Sequence, residues 1–138
     1  MTNIEKNQGT HPLRSSGRLV LGQSFGVFDK RGPWWLTLRC DQGIMEYYSR
    51  WLALEGFKVC QPVAKAHISV VRGEIPFRKD LFHCSVGKRF SFNYSNVPET
   101  NGKHWWLPVK SEEVESFRFD LGLSPSQSLH LTIGVNCA

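Results

Sequence analysis

Hydrophobic and polar positions alternate along much of this chain, and in two places the alternation gives way to a helical period. Leu19, Leu21, Phe25, Val27 and Phe28, with glycines at 22 and 26, predict one or two short strands with a bend between Arg18 and Asp29. Gly32-Pro33 is a turn signal, and Trp34 to Arg39 reads as a strand. Asp41 can then cap a helix reaching about Glu55, with Ile44, Tyr47, Tyr48, Trp51 and Leu52 at helical spacing and Gly56 to end it. Strand patterns follow over 57–62 and 66–72. Residues 73–88 carry no clear period around Leu81–Val86. Arg89 to Tyr94 reads as a strand, 96–103 as a loop with Pro98 and Asn101-Gly102, and Trp105 to Val109 as a strand. Ser111 can cap a second helix, with Glu112 and Glu113 suited to its positive first turn and Val114, Phe117 and Leu121 on its apolar side. Gly122 ends it, and Leu129 to Val135 closes the chain as a strand. Strands interleaved with two helices make an α+β domain.

Two stretches share an order of parts. Trp34-Trp35-Leu36 opens a strand that leads to a capped helix, to Gly56, and to Ala66-His67-Ile68-Ser69-Val70. Trp105-Trp106-Leu107 opens a strand that leads to a capped helix, to Gly122, and to Leu129-His130-Leu131-Thr132-Ile133. Such self-similarity predicts two related lobes about a pseudo-two-fold axis. In a strand, positions i and i+2 share a face, so His67 goes with Ser69 and His130 with Thr132, while the aliphatic neighbours oppose them. Two imidazoles and two hydroxyls at one spot suit a phosphodiester. One neutral histidine takes a proton from the nucleophile, the other gives one to the leaving oxygen, and Ser69 and Thr132 donate to the non-bridging oxygens. His83-Cys84-Ser85 fits the same small pattern, but no tryptophan pair, helix and glycine precede it, so it is read as a bystander.

The chain has 138 residues, enough for one domain. The first 17, rich in Asn, Gly, Thr and Ser, read as a loose arm before a single domain over 18–138. Nine Phe, three Tyr and five Trp supply a core and leave rings for a ligand surface. No apolar run approaches the length of a spanning helix, and the polar start predicts no secretory leader, so a cytoplasmic setting is expected. A formal charge of +5 leans toward anionic partners without a charged run. Cys40, Cys60, Cys84 and Cys137 form no C-x-x-C pair and no ligand cluster appears, so neither a metal nor another cofactor is expected. Free thiols are the expectation for a reducing compartment, although the sequence leaves a disulfide open. The pattern gives no handle on oligomeric state.

At His67-Ile68-Ser69-Val70 and His130-Leu131-Thr132-Ile133 the chain resembles the 2H phosphoesterase superfamily, which carries two His-x-(Ser/Thr)-hydrophobic motifs. The superfamily includes 2′,5′ RNA ligase-like proteins, 2′,3′-cyclic nucleotide phosphodiesterases and phage proteins that degrade the cyclic nucleotide signals of bacterial immunity. The small size and the 66–74 stretch look most like the phage branch. The resemblance implies a bilobal fold of mainly antiparallel sheet, with helices outside and a central cleft. It also implies a phosphodiesterase that needs no metal, with His67, Ser69, His130 and Thr132 catalytic. Cyclic nucleotides or cyclic oligonucleotides are the expected substrates, with RNA ends bearing a 2′,3′-cyclic phosphate as one alternative and a non-catalytic nucleotide sponge as another. Trp34, Trp35, Phe92, Tyr94, Trp105 and Trp106 are candidates to stack on a base. Arg72 and Glu74 are candidates to contact phosphate or sugar.

Overall fold

The computed structural model of the protein describes residues 11–22 and 34–137. The strands are β1 (Leu13–Leu21), β2 (Trp35–Arg39), β3 (Val59–Cys60), β4 (His67–Arg72), β5 (Arg89–Tyr94), β6 (Glu99–Thr100), β7 (His104–Lys110) and β8 (His130–Asn136). The helices are α1 (Gln42–Leu54), α2 (Lys79–Cys84) and α3 (Glu112–Asp120). The two long helices start where their caps predict. The Asp41 carboxylate accepts from the Gly43 amide at 2.9 Å, and the Ser111 hydroxyl accepts from the Val114 amide at 3.1 Å. Both stop beside a glycine in the left-handed region, Gly56 at φ +99° and Gly122 at φ +83°.

Three expectations change. The expected arm ends early, because β1 starts at Leu13; residues 1–10, the 23–29 part of the predicted strand pair and the Gly32-Pro33 turn lie outside the described residues. The unassigned 73–88 stretch contains α2, and His83 sits on that helix rather than on a strand, packed 5.9 Å from the Trp34 ring. The predicted 96–103 loop contains the two-residue strand β6.

The strands form one antiparallel sheet in the order β3-β8-β4-β2-β1-β5-β7-β6, and β7 also pairs with β8. That extra pairing closes β1, β2, β4, β8, β7 and β5 into a six-stranded barrel, with β3 and β6 added at its rim. Alternation gives each barrel strand an apolar face. Leu19, Leu36, Leu38, Ile68, Leu107, Leu131 and Ile133 are fully or almost fully buried in one cluster with Met45 and Leu52 of α1 and Val114 and Phe117 of α3. Roughly 2 kcal/mol accompanies burial of each large aliphatic side chain, so this shared face holds the ring together.

The ring has an approximate two-fold. β1, β2 and β4 occupy the places of β5, β7 and β8, and the axis runs through the β4–β8 and β1–β5 seams. The bulges repeat as well. Leu36 and Thr37 face Val71 and Ser69, and Trp105 and Trp106 face Gly134 and Thr132, so one extra residue lies on β4 and one on β8 at equivalent places. The registers correct the expected equivalence of the tryptophan pairs. Thr37 corresponds to Trp106, because each faces the hydroxyl residue of its motif, and Trp35 corresponds to His104. The halves are also joined along both seams rather than standing apart as lobes.

Two links fasten the ring. Cys60 and Cys137 form a disulfide between β3 and the end of β8, with Cα atoms 5.7 Å apart. This corrects the expectation of four free thiols; Cys40 is buried and free, and Cys84 exposed and free. Arg118, on α3 and only 4% exposed, donates to the carbonyls of Val70 and Ser124 and to both oxygens of Glu74.

Candidate active site

The site begins with one rung of the ladder. Ile68 faces Leu131 across the β4–β8 seam, and both are buried. In an antiparallel pair the next rungs set His67 beside Thr132 and Ser69 beside His130, all four on the opposite face. Directly opposed side chains have Cβ atoms about 5 Å apart. All four are half-buried, between core and solvent. Sequence alternation therefore brings the four predicted catalytic side chains to one patch at the two-fold axis.

Each imidazole is held in the same way. His67 Nδ1 lies 2.7 Å from the Lys65 carbonyl, and His130 Nδ1 lies 3.1 Å from the Ser128 carbonyl. A carbonyl only accepts, so each Nδ1 carries a proton and donates it. That leaves each Nε2 as the position that gains or loses a proton. The residue two before the histidine performs this service in both halves, which follows from the shared approach to β4 and β8. Each ring also has a tryptophan at its side: Trp35 stands 6.3 Å from His67 and Trp106 stands 6.1 Å from His130, both near edge-on. Trp35 donates its Nε1 proton to the Ser69 hydroxyl at 3.3 Å, leaving the Ser69 proton available to another acceptor.

The electrostatics are less symmetric than the backbone. Burial holds His67 below the ordinary histidine value. The Lys65 carbonyl opposes this by favouring the charged ring, while the positive charges of Arg39, His130 and Arg72 add to the lowering. His67 is thus kept neutral further into acid than a free histidine. Its surroundings contain no carboxylate partner that would draw a proton onto it among these contributors.

The structure redistributes the other predicted site residues. Trp106 is half-buried beside His130 and keeps its place. Arg72 faces Trp35 across the β2–β4 pair, exposed and close enough for its charge to act on His67. Trp34 belongs elsewhere: it packs edge-on against Phe82 of α2 at 5.2 Å, with the Lys79 ammonium 5.7 Å from its ring. Trp105 is 9% exposed, ties its Nε1 to the Asn136 amide oxygen at 2.8 Å and packs on Phe57. Tyr94 lies on the apolar face, 6.0 Å from Phe92. Glu74 is engaged by Arg118 through both oxygens, and this hydrogen-bonded pair holds its carboxyl below the usual carboxylate range. Trp34, Tyr94, Trp105 and Glu74 are therefore structural. Trp35, a stacking candidate from the sequence, shares the β2 face opposite Ser69 and His67 with Thr37 and Arg39, and these last two are the residues that sequence reasoning passed over. Strict alternation from Trp35 to Arg39 puts all three on one face, and the extra residue of the bulge, Val70, lies on β4.

A cavity of about 240 Å³ opens beside His67, lined by Trp35, Thr37, Arg39, Val63 and Lys65 among others. A broader hollow of about 1210 Å³ lies on the other half, reaching Pro108, Ser128, Asn93, Arg14 and Lys110. Among the described residues no three His, Cys, Asp or Glu side chains are grouped to hold a metal ion, and no helix is long and apolar enough to cross a membrane. In comparisons with family models, curated proteins and solved structures, the chain matches none.

Proposed function

We propose that the protein is a phosphodiesterase of the two-histidine type, acting on a ribonucleotide phosphodiester without a metal. One observation carries the reading. Two imidazoles, each with Nδ1 tied to the carbonyl two residues earlier, stand with two hydroxyls on adjacent rungs of one seam. A structural histidine needs no second copy of this arrangement across an axis.

The chemistry is an acid–base displacement. Neutral His67 accepts the ribose 2′-OH proton at Nε2. The 2′ oxygen attacks phosphorus in line, and the bond to the 5′ oxygen breaks. Protonated His130 gives its Nε2 proton to that oxygen. The products are a 2′,3′-cyclic phosphate and a free 5′-OH. Water opens the cyclic phosphate in a second step with the roles exchanged. Ser69 and Thr132 donate to the non-bridging oxygens as negative charge concentrates there, and the Trp35 proton on Ser69 Oγ polarises that donor. His67 is the base because burial and its cationic neighbours keep it neutral.

The closed ring with its two-fold is read as a fused form of the bilobal fold expected for the 2H superfamily, and the groove over the β4–β8 seam stands for the central cleft. Cyclic oligonucleotides and short RNA both offer the required linkage. A role against cyclic nucleotide immunity signals, with its phage setting, rests on the motif resemblance.

The test is cleavage in EDTA. Purified protein meets cyclic di- and trinucleotides, 2′,3′-cyclic nucleotides and short RNAs, beside folded His67→Ala and His130→Ala variants. Product formed by the wild type and reduced at least about a hundredfold in each variant is the expected result. Activity that survives both substitutions would place the chemistry elsewhere. Tight binding with no product would make the protein a sponge.

A further inference from the structure

The six barrel strands contain no aspartate or glutamate. Their cations are Arg14, Arg18, Arg39, Arg72, Arg89 and Lys110. By register these share the face that bears the histidines. Arg39 is opposite His67, Arg18 is opposite Arg39, and Arg89 is opposite Arg18. One rung-line thus runs His67, Arg39, Arg18, Arg89 across β4, β2, β1 and β5. The Arg89 guanidinium reaches the Ser16 hydroxyl at 3.5 Å, which places it over the same face.

Like charges directly opposite one another destabilise a sheet. Three arginines on successive strands, spaced about 4.8 Å apart, repeat that cost twice. All three are exposed. Among the described residues the ion pairs are Arg78–Asp80 and Arg118–Glu74, so no carboxylate neutralises the line. An uncompensated row of guanidinium groups fits a ligand that carries a row of negative charge.

The row also breaks the two-fold. The position of Arg39 is held by Pro108 beside His130, that of Lys65 by Ser128, and that of Arg72 by Val135. The catalytic pair is duplicated, and the cations that adjoin His67 are not repeated beside His130. A 2′,3′-cyclic mononucleotide, with one phosphate at the histidines, leaves the row unused.

We propose that Arg39, Arg18 and Arg89 form a phosphate track for single-stranded RNA, leading away from the scissile phosphate on the His67 side. The inference rests on the phosphodiesterase reading for the position of the scissile bond, and makes the substrate a strand of several nucleotides. Phosphates beyond the cut lie along the arginines.

The experiment measures binding apart from cleavage. Mixed-sequence 2′-O-methyl RNA, which lacks the nucleophile, is titrated as dimer, tetramer and octamer at several salt concentrations, beside a cyclic dinucleotide. Affinity is expected to rise from dimer to octamer. The logarithm of the octamer binding constant should fall with the logarithm of salt at a slope of about −2, for three phosphates neutralised. Arg18→Ala and Arg89→Ala should each make the slope shallower by about 0.7 and weaken the octamer about fivefold, with less effect on the cyclic dinucleotide. Arg50→Ala, on the exposed side of α1, should change none of these. An octamer bound no more tightly than a dimer, or slopes unmoved by Arg18→Ala and Arg89→Ala, would overturn the track. Cleavage of unmodified dinucleotides in that case would leave the phosphodiesterase reading intact. The expected binding pattern without cleavage of any unmodified RNA would keep the track and sink the reaction.

Discussion

Removing the Arg118 guanidinium tests what a buried arginine does. Its side chain is 5% exposed, whereas that of Glu74 is 41% exposed. Arg118→Met keeps the aliphatic stem and orphans three partners. Glu74 turns to water, so its pairing is discounted as a surface ion pair and contributes at most about 1 kcal/mol. The Ser124 carbonyl belongs to an exposed residue and is also rehydrated. The Val70 carbonyl, 2.7 Å from Nη1 on a residue 2% exposed, has no such recourse, and an orphaned buried acceptor costs about 1–3 kcal/mol. Relief from burying the guanidinium offsets part of this. The expected loss for Arg118→Met is about 2 kcal/mol, or roughly 7 °C in Tm for a domain of this size. Glu74→Gln should lose less than about 1 kcal/mol. Urea denaturation of both variants supplies the comparison. The sign with pH follows from the lowered Glu74 value, which is due chiefly to its hydrogen bonds from Arg118. That stability is present above the unfolded carboxyl value and is lost as pH falls through the lower folded value. Wild type should therefore weaken below about pH 4.5 in a way that Arg118→Met does not. Equal losses in the two variants would refute the reasoning, since the ion pair rather than the buried carbonyl would then dominate.

Two further outcomes follow from the site and the disulfide. With His67 as base, kcat/KM should stay high as pH falls below the ordinary histidine value, and Arg39→Ala should move the acidic limb upward by removing a positive neighbour; a limb above pH 7, or one that Arg39→Ala leaves in place, would assign the base elsewhere. The Cys60–Cys137 bond spans 77 positions, for which chain entropy gives about 4.5 kcal/mol as an upper figure, so Cys60→Ser should lower the urea midpoint as much as reduction does. Native alkylation should label Cys84 quickly and Cys40 slowly, because burial pushes the Cys40 thiol up to about 12, and rapid labelling of three or more thiols would show the bond to be absent.

Local signals in this chain were readable and long-range ones were not. Asp41 with Gly56, and Ser111 with Gly122, bracket two helices because caps act within a few residues. His67-x-Ser69 and His130-x-Thr132 predict their own faces because a strand has period two. Pairing of the two motifs on adjacent rungs needs the register of strands 63 positions apart, and only the repeat hinted at it. The strand registers align Trp105 with Leu36 rather than with Trp34, so the two tryptophan pairs fall out of equivalence, and Trp35 rather than Trp34 reached the site. Helix α2 is six residues long with no side-chain cap at Arg78, too short to show a period. The disulfide joins the rim strand to the end of β8, and cysteine spacing alone carries no partner information at that distance. The arginine row is invisible in sequence for the same reason, since Arg18, Arg39 and Arg89 become neighbours only through two strand registers.

Two-fold symmetry creates a difficulty that the side chains resolve. A backbone that holds two histidines identically makes two equal groups, but the proposed reaction requires one protonated and one neutral at the same moment. The positive charge of His130 is one of the influences that lower the proton affinity of His67. The decision comes from positions where the halves differ. Arg39 and Arg72 bear on His67, and Pro108 and Val135 stand in the corresponding places beside His130. The cations that bias His67 toward neutrality are part of the same face that would hold a phosphate strand. A bound polyanion would screen that bias, so a third group must keep His67 neutral in the complex. Burial, the largest contributor to its lowered value, persists and deepens when a substrate covers the groove. Desolvation is thus the component that survives binding, and the arginines set the polarity of the free protein.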